Sequence, residues 1–161
     1  MVELVKLAPR SAAVTVSLFW VALTFGRLLV AYVSEKLGYR LTILFCCIGA
    51  FFVSAFGLME TNALATAILF VALGFFLSGI FPTVMAQGTS FFPYSTGSVA
   101  GILMAAGAMG RSVIPWLIGT VSDVYNLRSG MGLVPLGCGL MLVLSLINMK
   151  VTIPQRNRAF D

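Results

Sequence analysis

Of the 161 residues in this chain, 60% are hydrophobic and 9% charged, against roughly 45–50% and about 25% in soluble domains; a water-soluble fold of this size has too little interior to hide so much apolar surface. The net charge of +5 is spread over loops and the C-terminal tail, so the basic face that a nucleic-acid partner requires is missing. With no histidine and no paired carboxylates, the sequence offers neither the commonest proton shuttle and metal ligand nor a nucleophile–base set for an enzyme, and no metal or other cofactor is expected.

Residues 1–10 mix Glu3 and Lys6 with Pro9 and lack the pattern of a cleaved leader. The first predicted span covers residues 11–34 and contains a single charge, Arg27; the second covers residues 41–59. No charged residue stands between Glu60 and Arg111. That region holds a third span over residues 63–88, interrupted by Gly79 and Pro82, and a polar segment over residues 89–98. The fourth span, residues 99–121, contains Arg111, and the fifth covers residues 132–149. Residues 150–161 form a short basic tail. Each span has about the 20 apolar residues needed to cross a hydrocarbon core of roughly 30 Å. Backbone groups in lipid must be satisfied internally, which leaves helices or closed barrels. Runs such as Leu69-Phe70-Val71-Ala72-Leu73 do not alternate as barrel strands do. The expected fold class is therefore all-α, a polytopic bundle of five transmembrane helices embedded in membrane lipid. Cys46, Cys47 and Cys138 fall inside apolar runs and read as small buried hydrophobes rather than a disulfide or metal set.

Lys36, Arg40, Lys150, Arg156 and Arg158 fall on one side of this arrangement, and Lys6, Arg10 and Arg128 on the other. The lysine and arginine bias places the first loop and the tail in the cytoplasm, and residues 1–10 on the extracellular or lumenal side. The sequence also repeats itself. Gly26-Arg27 is followed by Ser34-Glu35 and Arg40; Gly110-Arg111 is followed by Ser122-Asp123 and Arg128. Spans one and two thus match spans four and five, running in opposite senses across the membrane. Such an inverted-topology repeat is a frequent plan of secondary transporters. The third span would open the second unit of three helices, and its counterpart before the first span is not in the chain. The expectation is five of the six helices of one half of a larger carrier, completed by a missing N-terminal half or a partner chain.

The loop Glu35-Lys36-Leu37-Gly38-Tyr39-Arg40 resembles the loop motif of major facilitator superfamily transporters, with Ala31 and Tyr39 departing from it. Ser17-Leu18-Phe19-Trp20 leading to Gly26-Arg27 resembles the eighth helix of the fucose-permease and sodium-dependent glucose transporter branch. Ser78-Gly79-Ile80-Phe81-Pro82-Thr83 is similar to its tenth helix, and Gly107 through Pro115 to Asp123 to its eleventh. The resemblance covers residues 11–149 and implies helices eight to twelve of the C-terminal half. Helices eight and eleven would then face the other half, ten would line the solute path, and nine and twelve would be peripheral. It further implies alternating-access transport of a small polar solute, a sugar first and a monocarboxylate second. Symport with a proton or sodium as coupling ion, in the plasma membrane, completes that expectation. A rival from another class is a non-transporting membrane module that binds a partner protein.

Several residues could carry the mechanism. Arg27 lies eight residues before Glu35 and Arg111 twelve before Asp123, roughly 12 and 18 Å from those helix ends. A mid-bilayer arginine costs at least about 2.5–3.5 kcal/mol on insertion scales, and no Asp or Glu lies inside any span to offset it. Both are solute-path candidates, and the plain alternative is a structural tie between halves. Pro82 frees a carbonyl about four residues earlier, at Ser78, for water or solute, so Ser78, Pro82 and Thr83 join the path candidates. Gln87 is expected near the water interface. Glu35, Lys36, Gly38, Arg40 and Asp123 are gating-loop candidates, with a carboxylate docking at a helix N-terminus. Gly97, Gly101, Gly107 and Gly110 are helix-packing candidates, because helices in lipid associate through small residues. The aromatic pairs Phe51-Phe52 and Phe75-Phe76 read as lipid-facing or packing residues.

Overall fold

The structure, a computed structural model, describes residues 9–151, with side chains from residue 13 onward; the segments 1–8 and 152–161, expected outside the membrane on opposite sides, lie outside the described residues. In chain order the helices are α1 (Pro9–Leu37), α2 (Tyr39–Met59), α3 (Ala63–Ser78), α4 (Ile80–Phe91), α5 (Thr96–Val124), α6 (Leu127–Met131) and α7 (Leu133–Lys150). With α3–α4 and α6–α7 each read as one broken rod, five are long and apolar enough to cross a membrane. No strand occurs among the described residues.

The ends of the rods differ from the expected boundaries, for local reasons. The first loop shrinks to one residue. Gly38 links α1 to α2 at φ 82 and ψ 155, a region open essentially to glycine alone. Its N–H donates to the Ser34 carbonyl, and its own carbonyl accepts from the N–H and hydroxyl of Thr42. The polar segment after the third span shrinks as well. Thr89 and Ser90 stay helical, returning their hydroxyls to carbonyls at Met85 and Gln87. At the opposite end, Asn62 caps α3 by accepting from the Leu64 N–H at 3.0 Å, and Asn126 caps α6 by accepting from the Ser129 N–H at 2.8 Å. Asparagine at this position satisfies one of the four orphan N–H groups of a first turn.

Helix packing follows the small residues. α1 lies along α3, burying Thr15, Gly26, Val30 and Ser34 on one stripe. A side chain at Gly26 would run into the Ser78 hydroxyl and come 2.9 Å from the Phe75 carbonyl oxygen. One at Gly79 would run into Val30, and one at Gly74 would come 2.6 Å from the Phe19 ring. Phe19 in turn stacks on Phe70 with centroids 4.7 Å apart. α2 occupies the centre, touching α1, α3, α4 and α7. It buries Thr42, Ile43, Cys46, Cys47, Ala50 and Ser54, while α7 contributes Cys138 and Ser145 opposite. The cysteines are free and buried, as small hydrophobes would be. The aromatic pairs act as packing residues in part: Gly49 seats the Phe76 ring, and Gly139 lies against Phe51. Phe52 points outward, 53% exposed.

The charge-free second span, expected at the periphery of the complete carrier, is the hub of the packing within this chain. The fourth span, α5, buries none of its 29 residues and packs chiefly on α4 and α6. Lack of charge marks a helix as tolerant of lipid, and it equally marks one able to pack dry against others. Charge alone does not separate the two.

Candidate functional site

The third span breaks between Ser78 and Ile80. α4 restarts with Pro82 in its first turn, where the missing N–H of proline would have had no intrahelical partner anyway. Gly79 provides the close approach to Val30 that lets α1 cross at the break. On the other side, Gly107 of α5 sits over the same break, and a side chain there would meet the Phe81 ring at 2.9 Å. The broken helix therefore lies between the two arginine-bearing helices.

This arrangement brings the two arginines to neighbouring depths. Arg27 directly follows Gly26, which touches Ser78. Arg111 lies one helical turn beyond Gly107, about 6 Å along the axis. It continues the Val99, Leu103 and Gly107 stripe that α5 lays on α4, where Leu103 and Val99 surround Gly88. Both arginines are exposed, and neither makes a hydrogen bond or ion pair among the described residues. Two unpartnered guanidinium groups thus flank a broken helix that exposes Phe81 and Pro82. Such an arrangement can bind an anion, a polyhydroxylated solute or a facing carboxylate, because guanidinium presents five N–H donors in a rigid fork.

The remaining path candidates sit differently. Ser78 is 3% exposed and gives its hydroxyl to the Phe75 carbonyl at 2.6 Å, pressed against Gly26. Thr83 is likewise buried, at 5%. Both belong to the helix–helix seam, and Pro82 alone of the three is exposed. Ser78 is covered by Gly26 of α1, a contact between two helices that the one-dimensional sequence does not carry.

Four of the gating-loop candidates, Glu35, Lys36, Gly38 and Arg40, cluster at one end without latching, and Asp123 lies at the other end. Lys36 lies over the Tyr32 ring at 4.5 Å, and Arg40 over the Phe91 ring, the last residue of α4, at 5.7 Å. Both are cation–π contacts. Glu35 is exposed in the last turn of α1, a helix C-terminus. The expected docking of this carboxylate at a helix N-terminus therefore does not occur within the described residues. Asp123 is exposed in the last turn of α5. Arg128 reaches across the far end of the bundle and donates from Nη2 to the Leu58 carbonyl at 3.2 Å, satisfying an orphan acceptor of α2.

Among the helix-packing glycines the expectation holds at Gly107 only. Gly97, Gly101 and Gly110 face open space. The other tight glycines are Gly26, Gly49, Gly74, Gly79, Gly88 and Gly130, of which Gly130 presses on Ser122. A second feature missed in the sequence is Gln87. It is 6% exposed and makes a reciprocal pair with Asn148: Gln87 Nε2 donates to Asn148 Oδ1 at 2.9 Å, and Asn148 Nδ2 donates to Gln87 Oε1 at 3.1 Å. The signal was present. These are the only carboxamides within the third and fifth apolar runs, and polar side chains in lipid seek one another.

The family model described as the Major Facilitator Superfamily matches residues 1–159. The chain belongs to that superfamily. No curated protein and no solved structure shows a significant match to it. It is an integral, multi-pass membrane protein of a transporter family, and small-molecule transport across a lipid bilayer is the activity that membership carries.

Proposed function

We propose that this chain forms helices eight to twelve of a two-lobed carrier, that α1 and α5 face the other lobe, and that solute passes beside the break at Gly79. The observation that carries this reading is the placement of Arg27 and Arg111. Both stand unpartnered at the depth of the break, on helices with broad exposed faces that include Trp20, Phe25 and Leu28 on α1 and Ile102, Met109 and Trp116 on α5. Guanidinium groups facing hydrocarbon would be costly; a facing lobe with a hydrated cavity relieves that cost. Rocking of one lobe against the other around this level gives alternating access. Gly38, with its glycine-only backbone, is the pivot of the cytoplasmic loop; Glu35, Lys36 and Arg40 are available to a latch made there with the other lobe, and Asp123 to a contact at the opposite end.

The solute favoured by the sequence resemblance is a sugar, taken up with a proton or sodium whose carboxylate ligand is supplied by the other lobe, in the plasma membrane. Monocarboxylate transport is the second reading, and one observation favours it: two arginines with no acidic partner suit an anion. Uptake of a labelled panel of sugars, lactate and pyruvate into proteoliposomes containing the complete transporter tests both. The expected result is sugar uptake that falls at least about tenfold in Arg27→Ala, or about 1.4 kcal/mol of transition-state stabilisation, at unchanged expression. Lactate or pyruvate uptake with no sugar uptake transfers the proposal to the anion reading. Unchanged uptake in Arg27→Ala removes this residue from the path.

A further inference from the structure

At the end of the bundle away from the Gly38 loop, α2 and α3 splay apart and α7 closes the wedge, leaving a cavity of about 200 Å³. This is larger than the roughly 150 Å³ of a dry apolar cavity that accepts a benzene ring. Its floor is Val53, Leu69, Phe70, Leu73, Val134 and Pro135. Val53 lies six residues before the end of α2 and Leu73 ten after the start of α3, so the cleft runs about 9–15 Å below the helix ends. Its mouth is polar, formed by Glu60, Thr61 and Arg128, all exposed. The wedge stays open because Gly57 has no side chain; a Cβ there would still be 3.9 Å from its nearest neighbour, Leu69.

The two charges at the mouth are not spent on each other, since no ion pair joins them among the described residues. Glu60 Oε1 accepts the N–H groups of Thr61 and Asn62 at 3.1 and 2.9 Å, leaving its second oxygen available. Arg128 uses Nη2 on the Leu58 carbonyl and has further N–H donors to offer. One acid, one base and an apolar shaft reaching into the hydrocarbon layer match an amphiphile with a zwitterionic head and a hydrocarbon tail.

We propose that this cleft binds a membrane phospholipid whose head carries a primary amine, its phosphate on Arg128, its ammonium on Glu60 and the upper part of one acyl chain in the shaft. The ammonium donates hydrogen bonds to the carboxylate, which a quaternary head cannot do. A phosphatidylglycerol head offers Arg128 the same phosphate but a neutral glycerol in place of the ammonium, which leaves the Glu60 carboxylate without a cation. The inference needs only that the chain sits in a bilayer and is independent of which solute is carried.

Native mass spectrometry of the full chain, released from bilayers of equimolar phosphatidylethanolamine, phosphatidylcholine and phosphatidylglycerol, tests it. One retained phosphatidylethanolamine is expected. Glu60→Gln keeps the acceptor for the two backbone N–H groups and should lower the preference for phosphatidylethanolamine over phosphatidylcholine about fivefold, and Arg128→Gln should lower retention by a similar factor, that of about 1 kcal/mol per basic residue at a lipid surface. Gly57→Leu, which fills the shaft without a backbone clash, should abolish retention while leaving the thermal midpoint of the chain in place. Equal retention of all three lipids, retention unchanged in Gly57→Leu, or equal binding of acyl-free glycerophosphoethanolamine would each overturn the proposal. So would a lipid-free cleft crosslinked to residues 1–8, which would assign it to the chain's own N-terminal segment.

Discussion

The α1–α3 seam and the exposed length of α5 are built from the same materials and behave in opposite ways. α1 and α5 are each 29 residues long, each carries at least one glycine, and each carries one mid-span arginine. Yet α1 presses Gly26 onto Ser78 and receives Gly79 on Val30, whereas Gly97, Gly101, Gly110 and Gly119 of α5 meet nothing. The difference teaches that a glycine in a membrane helix is only half of an interface. Without a hydrophobic drive in lipid, close approach gains stability only where the opposite helix offers a ridge that fits. At the seam the chain supplies both halves. On α5 it supplies one.

Substitutions can break that comparison, beginning with the largest effect. Gly26→Leu should drive a side chain into the Ser78 hydroxyl and the Phe75 carbonyl, and backbone cannot yield as a flexible side chain can. A loss of about 3 kcal/mol, the upper end of overpacking, is expected, read as a fall in the denaturant midpoint of the chain in detergent. Gly79→Leu should behave similarly. Next, Gln87→Leu or Asn148→Leu alone should cost about 1–2 kcal/mol by orphaning the partner carboxamide. The double substitution should recover most of the loss, because an apolar pair needs no partner; a double-mutant cycle in the same assay checks this. Asn62→Ala, which removes the α3 cap, should cost about 1 kcal/mol. Smallest of all, Gly110→Leu should change the stability of this chain by less than about 0.5 kcal/mol. In the complete transporter the same change should be damaging, if α5 is met there by the other lobe. A neutral result in both settings would remove α5 from the inter-lobe surface.

The arginines sharpen the contrast from the functional side. Their depth was readable from spacing alone, and the cost of burying a guanidinium made them conspicuous. That they flank one break was not readable, since it depends on which glycine of α1 and which of α5 meets the third span. Ser78 and Thr83 show the converse. Their types and positions suited a solute path, but neighbouring helices bury both, Ser78 against Gly26. Gln87 lies near a helix end, as counting residues suggests, and what the count does not carry is its pairing with Asn148 of α7.

Sequence by itself settled the solvent, the helical class and the existence of the five rods, because a backbone in hydrocarbon has no hydrogen-bonding alternative to the helix and composition alone reveals that hydrocarbon. It also located the interruptions, since Gly38, Gly79 and Pro82 act through their own backbones. Only the tertiary structure decided which small residues touch, that the charge-free α2 is the hub and that Gln87 finds Asn148. Each of those is a property of two helices at once, fixed by the relative rotation and depth of rods that are far apart in the chain.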